Sequence, residues 1–154
     1  MSELLTGSAS IEIERPVVNV FAAIADLQRM GEWSPESGEI RWLDGATGAA
    51  LGARFAGDNE IRLGPIPVKR WTTESEITAF DAPHVFEFVA GGATTWRYEL
   101  AETDGVTTVT ESFAFEQVSG FQKLMYNALG ARDAQMVEGM ERTLAAMKQH
   151  LESV

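Results

Sequence analysis

From Glu39 to Gln117 the chain offers one strand-like segment after another, and the joints between them are short enough for hairpins. The joints are Asp44-Gly45, Gly64-Pro65, Asp81-Ala82-Pro83, Gly91-Gly92 and Asp104-Gly105. Their residues tolerate positive φ or carry the fixed φ of proline, which is what tight turns require. Strands are expected near Glu39–Leu43, Leu51–Glu60, Arg70–Phe80, His84–Ala90, Thr94–Glu102 and Val106–Gln117. Neighbours joined this way are antiparallel, because parallel pairing needs a helical crossover and none is visible between these segments.

A further strand precedes them. From Ser8 to Glu14 apolar Ala9, Ile11 and Ile13 alternate with Ser10, Glu12 and Glu14, the pattern of a half-buried strand. Pro16 suits a first helical position, and Val20, Phe21, Ile24 and Leu27 recur at helical spacing until Arg29–Pro35 breaks the pattern. At the other end Ser119 and Gln122 form a capping box. Phe121, Leu124, Met125, Leu129, Met136, Met140, Leu144, Met147 and Leu151 then step by three or four. One helix is expected to run to the C-terminus, roughly 50 Å long at about 1.5 Å per residue, with Gly130 and Gly139 as candidate bends. The reading is α+β: a curved antiparallel sheet of about seven strands around a long C-terminal helix, with short helices between strands one and two. No repeat, linker or low-complexity tract divides it, so residues 1–154 are expected to form one domain.

Strand alternation decides which side chains face that helix. Glu74 and Glu76 belong to the water side of their strand, so Trp71, Thr73, Ser75 and Ile77 face in. The same argument turns Phe55, Gly57 and Asn59, then Phe86 and Phe88, then Trp96, Tyr98 and Leu100, then Val109, Glu111, Phe113 and Phe115 inward. This interior is aromatic but not purely apolar. A buried hydroxyl or amide left unpaired costs about 1–3 kcal/mol, so Asn59, Thr73, Ser75 and Tyr98 need partners or water, which a hollow interior supplies more easily than a dry one. The candidate ligand-binding residues are therefore Phe55, Asn59, Trp71, Thr73, Ser75, Phe86, Phe88, Trp96, Tyr98, Glu111 and Phe113 from the sheet, with Met125, Leu129 and Met136 from the helix.

Glu111 is the most informative of them, because it interrupts an apolar inward row. It is a candidate to bind a polar group of a ligand or to act as a general base with a pKa raised by desolvation. A strand bulge that turns it outward, or an internal ion pair with Arg132, would give it a structural role instead. Asp133 lies on or beside the helix stripe and is a candidate acid/base partner for it, or an exposed charge. Tyr98 could donate to a carbonyl or enolate oxygen, and Trp71 and Trp96 could stack on a flat ligand; all three also serve as ordinary core. The Ile61–Lys69 hairpin, with Leu63, Ile66 and Val68, is unusually apolar for a connection and suits a cavity lid, a subunit contact or a packed loop. Trp33 and Pro35 suit the cavity rim or an anchor for the short helices.

Several classes of function are disfavoured. The chain carries 23 acidic against 12 basic residues, a net charge of -11, so nucleic acid and anionic membrane surfaces should repel it. Without cysteine there is no disulfide, thiolate chemistry or sulfur-ligated metal. His84 and His150 show neither metal spacing nor a triad, and Gly45–Gly52 lacks the Lys-Ser/Thr ending of a phosphate loop. No metal, cofactor or membrane insertion is expected; the default location is cytoplasmic, as monomer or homodimer, with a small apolar ligand as partner.

The order of elements and several local sequences resemble the START and Bet v 1-like (SRPBCC) superfamily, in particular its bacterial polyketide cyclase/dehydrase and lipid-transport branch. The residues are Ile13-Glu14-Arg15-Pro16-Val17 leading to Val20-Phe21, Glu32-Trp33-Ser34-Pro35, Gly48 to Gly57, Arg70-Trp71-Thr72-Thr73, Trp96-Arg97-Tyr98-Glu99-Leu100 and Thr108-Val109-Thr110-Glu111-Ser112-Phe113. The resemblance covers essentially the whole chain. It implies a helix-grip fold with a deep cavity for lipids, polyketides, hormones or other apolar molecules. It does not imply a reaction, since the superfamily includes carriers, cyclases, aromatases and regulatory modules. Three readings follow: a binding protein for a hydrophobic or aromatic molecule; a polyketide cyclase/dehydratase-like enzyme using Glu111 with Tyr98 or Asp133; and a regulatory domain whose cavity is vestigial.

Overall fold

The computed structural model describes residues 3–32, 37–117 and 132–153. The chain begins with β1 (Glu3–Ile13) and turns through Pro16 into α1 (Val17–Ala25) and a 3-10 helix (Leu27–Glu32). It then builds β2 (Ser37–Trp42), β3 (Arg54–Leu63), β4 (Ile66–Asp81), β5 (Val85–Ala90), β6 (Thr94–Thr103) and β7 (Val106–Gln117), and ends in α2 (Arg132–Glu152). The strands form one seven-stranded sheet in the order β1-β7-β6-β5-β4-β3-β2, each pair antiparallel. It is a meander from β2 to β7 with the first strand added beside the last.

The turn chemistry fixes this arrangement. Asp44 and Gly45 have φ of 54° and 79°, and Asp104 and Gly105 have 52° and 80°. Two successive positive φ values give a turn whose twist matches that of the flanking strands. Around Asp104-Gly105, Thr103 therefore pairs with Val106, and every partner from there to Thr94 and Phe115 follows without a slip.

The Ile61–Lys69 hairpin turns at Gly64-Pro65 as expected, but its strands are longer: β3 and β4, expected to stop at Glu60 and to begin at Arg70, run on until Leu63 pairs with Ile66. Pro67 would disqualify a central strand, because it has no N–H to donate. Here the described pairings of β2 end at Ser37 opposite Asn59 and those of β5 at Ala90 opposite Ser75, so beyond these points the two strands pair only with each other among the described residues. On a ribbon each strand has an open side where the missing N–H costs nothing.

One buried cluster joins Val20, Phe21 and Ile24 of α1 to Ile13, Ile77, Phe86, Leu100 and Val109 of the sheet and to Leu144, Met147 and Leu151 of α2. A second joins Phe113 and Phe115 to Met136 and Met140. The described part of the C-terminal stripe thus covers the sheet as its periodicity predicts. The capping box at Ser119, the bend at Gly130, and Phe121, Leu124, Met125, Leu129, Trp33 and Pro35 lie outside the described residues. The last turn of α2 is tied to the start of the chain. Arg15 donates to the Glu152 carbonyl (2.8 Å), the Glu14 N–H donates to the Glu152 carboxylate (2.8 Å), and Lys148 donates to the Glu12 carbonyl (2.7 Å).

β1 and α2 come close together at Gly7. A Cβ there would stand 2.6 Å from Phe113 Cε1 and 2.8 Å from Val137 Cγ2. Neither is the tip of a flexible chain, so Gly7→Ala should destabilise the protein by about 1–3 kcal/mol, as overpacking does elsewhere. Chemical denaturation measures this directly, and an unchanged midpoint would mean that α2 sits farther from β1.

Candidate functional site

The register places Glu111 and Tyr98 directly opposite one another on β7 and β6, in a cross-sheet row that continues to Ala9 on β1 and Phe86 on β5. Pairing on both sides of Glu111 is regular, so no bulge turns it outward. Glu111 is 4% exposed and Tyr98 3%. Tyr98 Oη donates to Glu111 Oε2 at 3.0 Å. The other carboxyl oxygen, Oε1, is buried and has no hydrogen-bond partner among the described residues.

Burial raises the Glu111 pKa to about 8, with the hydrogen bond from Tyr98 pulling the other way. Tyr98 is pushed well above its ordinary value near 10, first by burial and then by the charge of Glu111 and its hydrogen bond. At neutral pH the pair is therefore mostly a neutral carboxylic acid beside a neutral phenol. With Tyr98 donating to Oε2, Oε1 is the carboxyl oxygen left for a second partner. A protonated carboxyl in an apolar setting is a strong hydrogen-bond donor toward a carbonyl or hydroxyl.

Apolar side chains surround the pair. Phe86, Phe88, Phe55 and Ser75 are buried, as are Phe113 and Met136, and Trp96 packs against both clusters. Asn59, Trp71 and Thr73 belong to a different place, the base of the β3–β4 ribbon. They are half-buried there, Asn59 pairs with Trp71 in register, and the Asn59 amide donates to Thr73 Oγ1 at 3.0 Å. An open groove of about 330 Å³ lies beside Asn59 and Trp71, bordered by Asp58, Glu60, Arg70 and Thr72. The structure thus brings together Glu111, Tyr98 and the phenylalanines and separates them from the Asn59 group. Met125 and Leu129 lie outside the described residues. Asp133 opens α2, but its side chain, like that of Arg132, is also outside them.

Reasoning from sequence missed two buried hydroxyls. Thr107 bonds the Arg15 carbonyl (2.8 Å) and Thr143 the Gly139 carbonyl (2.9 Å), each a structural role that follows from local partners. A larger open groove, about 390 Å³ between β1, β7 and β6, is lined by outward residues such as Thr6, Ser8, Thr95 and Ser112. Its cation, Arg97, is already paired with Glu87 and Glu99. Among the described residues no group of His, Asp or Glu is placed to hold a metal, and no helix is long and apolar enough to cross a membrane.

A seven-stranded antiparallel sheet closed by a C-terminal helix, with short helices after the first strand, is the helix-grip architecture of the SRPBCC, Bet v 1-like superfamily. Within it, residues 5–152 match the family described as polyketide cyclase / dehydrase and lipid transport, and the chain belongs to that family. No curated protein matches the chain. Among solved structures, the Polyketide_cyc-like protein Cgl2372 from Corynebacterium glutamicum is 29% identical, with a TM-score of 0.61 over 97% of this chain and 93% of that one. Ara h 8.0201 is 14% identical with a TM-score of 0.70, covering 99% of this chain and 100% of the other. The di-domain ARO/CYC StfQ from the steffimycin biosynthetic pathway is 9% identical with a TM-score of 0.73, over 95% of this chain and 50% of StfQ. The last two likenesses are of fold.

Proposed function

We propose that this protein binds a small hydrophobic or aromatic molecule, lipid- or polyketide-like, between the sheet and the C-terminal helix. In this reading the Glu111–Tyr98 pair receives the one polar group of that ligand. The observation that carries it is Glu111 Oε1, a buried polar atom without a partner among the described residues. Such an atom costs stability in the free protein, and a ligand carbonyl or hydroxyl would satisfy it. The aromatic and methionine side chains around it suit a flat or flexible apolar body. Family membership supports the same class of ligand.

Native mass spectrometry of protein purified from its own host tests the proposal: a retained small molecule is expected, of low polarity and with at least one oxygen acceptor. Glu111→Leu should weaken its retention by about 10- to 100-fold, the loss of one hydrogen bond to a buried acid. Retention unchanged in that variant would remove Glu111 from the site.

A cyclase- or dehydratase-like enzyme is the second reading, favoured by the pKa of about 8, which suits a general acid working near neutrality. Glu111 would protonate a ligand oxygen through Oε1 while Tyr98 steadies the carboxylate left behind. Conversion of an added polyketide-like substrate, lost in Glu111→Gln and retained in Asp133→Asn, would support this reading over simple binding.

A further inference from the structure

Glu111 lies on the seam between the two buried clusters. Its neighbours on the same face of β7 are Val109, which belongs to the first cluster, and Phe113, which belongs to the second. Half-buried Ala9 and Trp96 pack against both: Ala9 is the partner of Glu111 on β1, and Trp96 stands two positions before Tyr98 on β6. Whatever meets Oε1 therefore sits among apolar side chains of both clusters, beside an acid that burial holds protonated at neutral pH.

That setting decides which charge the polar end of a ligand can carry. Among the described residues the buried polar or charged side chains are Ser75, Thr107, Glu111 and Thr143, and none of them is basic. Thr107 and Thr143 are already engaged with backbone carbonyls. The Glu111 pKa is set by burial and by the hydrogen bond from Tyr98, with no cation among its causes. An ionised carboxylate brought to Oε1 would be a second acid in one apolar site, and two carboxyl groups that share a site do not both ionise. Its charge would also be buried without a partner of opposite sign, which is costly. A carbonyl or hydroxyl oxygen accepts from the carboxyl and adds no charge.

We infer that the pair takes the polar end of its ligand only in neutral form: ketones, aldehydes, alcohols or phenols with an apolar body are bound, and carboxylates of the same shape are rejected. The selection rests on the reading that Glu111 and Tyr98 receive a ligand. A carboxylic acid then enters only as its neutral fraction. With a pKa of about 4–5 in water that fraction is about one part in a hundred or less at pH 7, and it grows about tenfold for each pH unit removed. Glu111, raised to about 8, stays protonated over the same range, so the affinity for a ketone should not change there.

Calorimetric titration of the wild-type chain with isosteric probes tests this: 2-acetylnaphthalene, 2-naphthoate and 2-isopropenylnaphthalene for a flat body, 2-dodecanone and undecanoate for a flexible one. At pH 7 the ketones are expected to bind about 100-fold or more tighter than the carboxylates. The gap should close by about tenfold per pH unit towards pH 5 while ketone affinity stays constant. The acetyl probe should also exceed the isopropenyl hydrocarbon by about tenfold, the contribution of one hydrogen bond from the buried acid, and Glu111→Leu should erase that advantage. A carboxylate that binds as tightly as its ketone at pH 7, or whose affinity is flat towards pH 5, would overturn the selection and leave the binding reading in place. A hydrocarbon that binds as tightly as the acetyl probe, or a wild-type chain that takes up neither ketone, would overturn the reading itself and the selection with it.

Discussion

Glu111→Gln should become progressively more stable than wild type as pH rises from about 5 to about 8, by up to roughly 1.4 kcal/mol per pH unit. The unfolded chain titrates Glu111 at its ordinary value of 4.5, and the folded protein does so at about 8. Between those values the native state holds a proton that the unfolded state has released, so raising the pH favours unfolding. Below the lower value both states are protonated and nothing is lost; above the higher one both are ionised and the loss is complete. The full penalty is on the order of 4–5 kcal/mol, large against the stability of a single domain. The substituted glutamine has the same shape, can still accept from Tyr98 and does not titrate, while every other carboxylate is common to both proteins and cancels in the difference. Urea unfolding at a series of pH values reads this out. Parallel stability curves would mean that Glu111 is solvated or paired with a cation in the folded protein.

The same proton links stability to ligand. An acceptor that needs the acid form should bind with constant affinity below about pH 8 and lose about tenfold per pH unit above it. A ligand that approaches the carboxylate as a cation would show the opposite trend. A pH series of affinities therefore separates a site for a neutral carbonyl or hydroxyl from a site for an amine, using the wild-type protein alone.

Much of this geometry was legible in the residues. The Asp104-Gly105 turn sets Thr103 opposite Val106, and five steps back along each strand from that pair puts Tyr98 opposite Glu111. Turn type and alternation together determine which side chains meet, because the period of a strand is two and a slip of one would expose every apolar residue. The length of the β3–β4 ribbon was not legible, since Gly64, Pro65 and Pro67 carry the chemistry of a turn and hide the strand that runs up to it. Proline is admissible there because, among the described residues, the two strands pair only with each other beyond Asn59 and Ser75. Nor could sequence foresee that Oε1 of Glu111 goes without a partner among the described residues. That depends on which groups from distant elements come within about 3 Å, a distance far finer than any hydrophobic pattern specifies.

Phe86→Ala should be the most damaging single truncation, at about 3–5 kcal/mol. Its side chain has no solvent exposure, and its ring meets those of Phe21 at 6.3 Å, Phe80 and Phe88 at 6.0 Å and Tyr98 at 6.5 Å, all edge to face. Phe21 belongs to α1 and the others to β4, β5 and β6, so the ring joins the short helix to the middle of the sheet. Removing it opens a void that three strands cannot close without giving up their register. The void also borders Tyr98, which pairs with Phe86 across β5 and β6. If water enters there, the desolvation that holds the Glu111 pKa up is relieved, and the pH dependence described above should flatten along with the loss of stability. A cycle of Phe86→Ala and Glu111→Gln measures this: at about pH 8 the two changes should couple by roughly 0.5–3 kcal/mol. Strict additivity would show that the void stays dry and that the apolar wall and the buried acid are energetically separate.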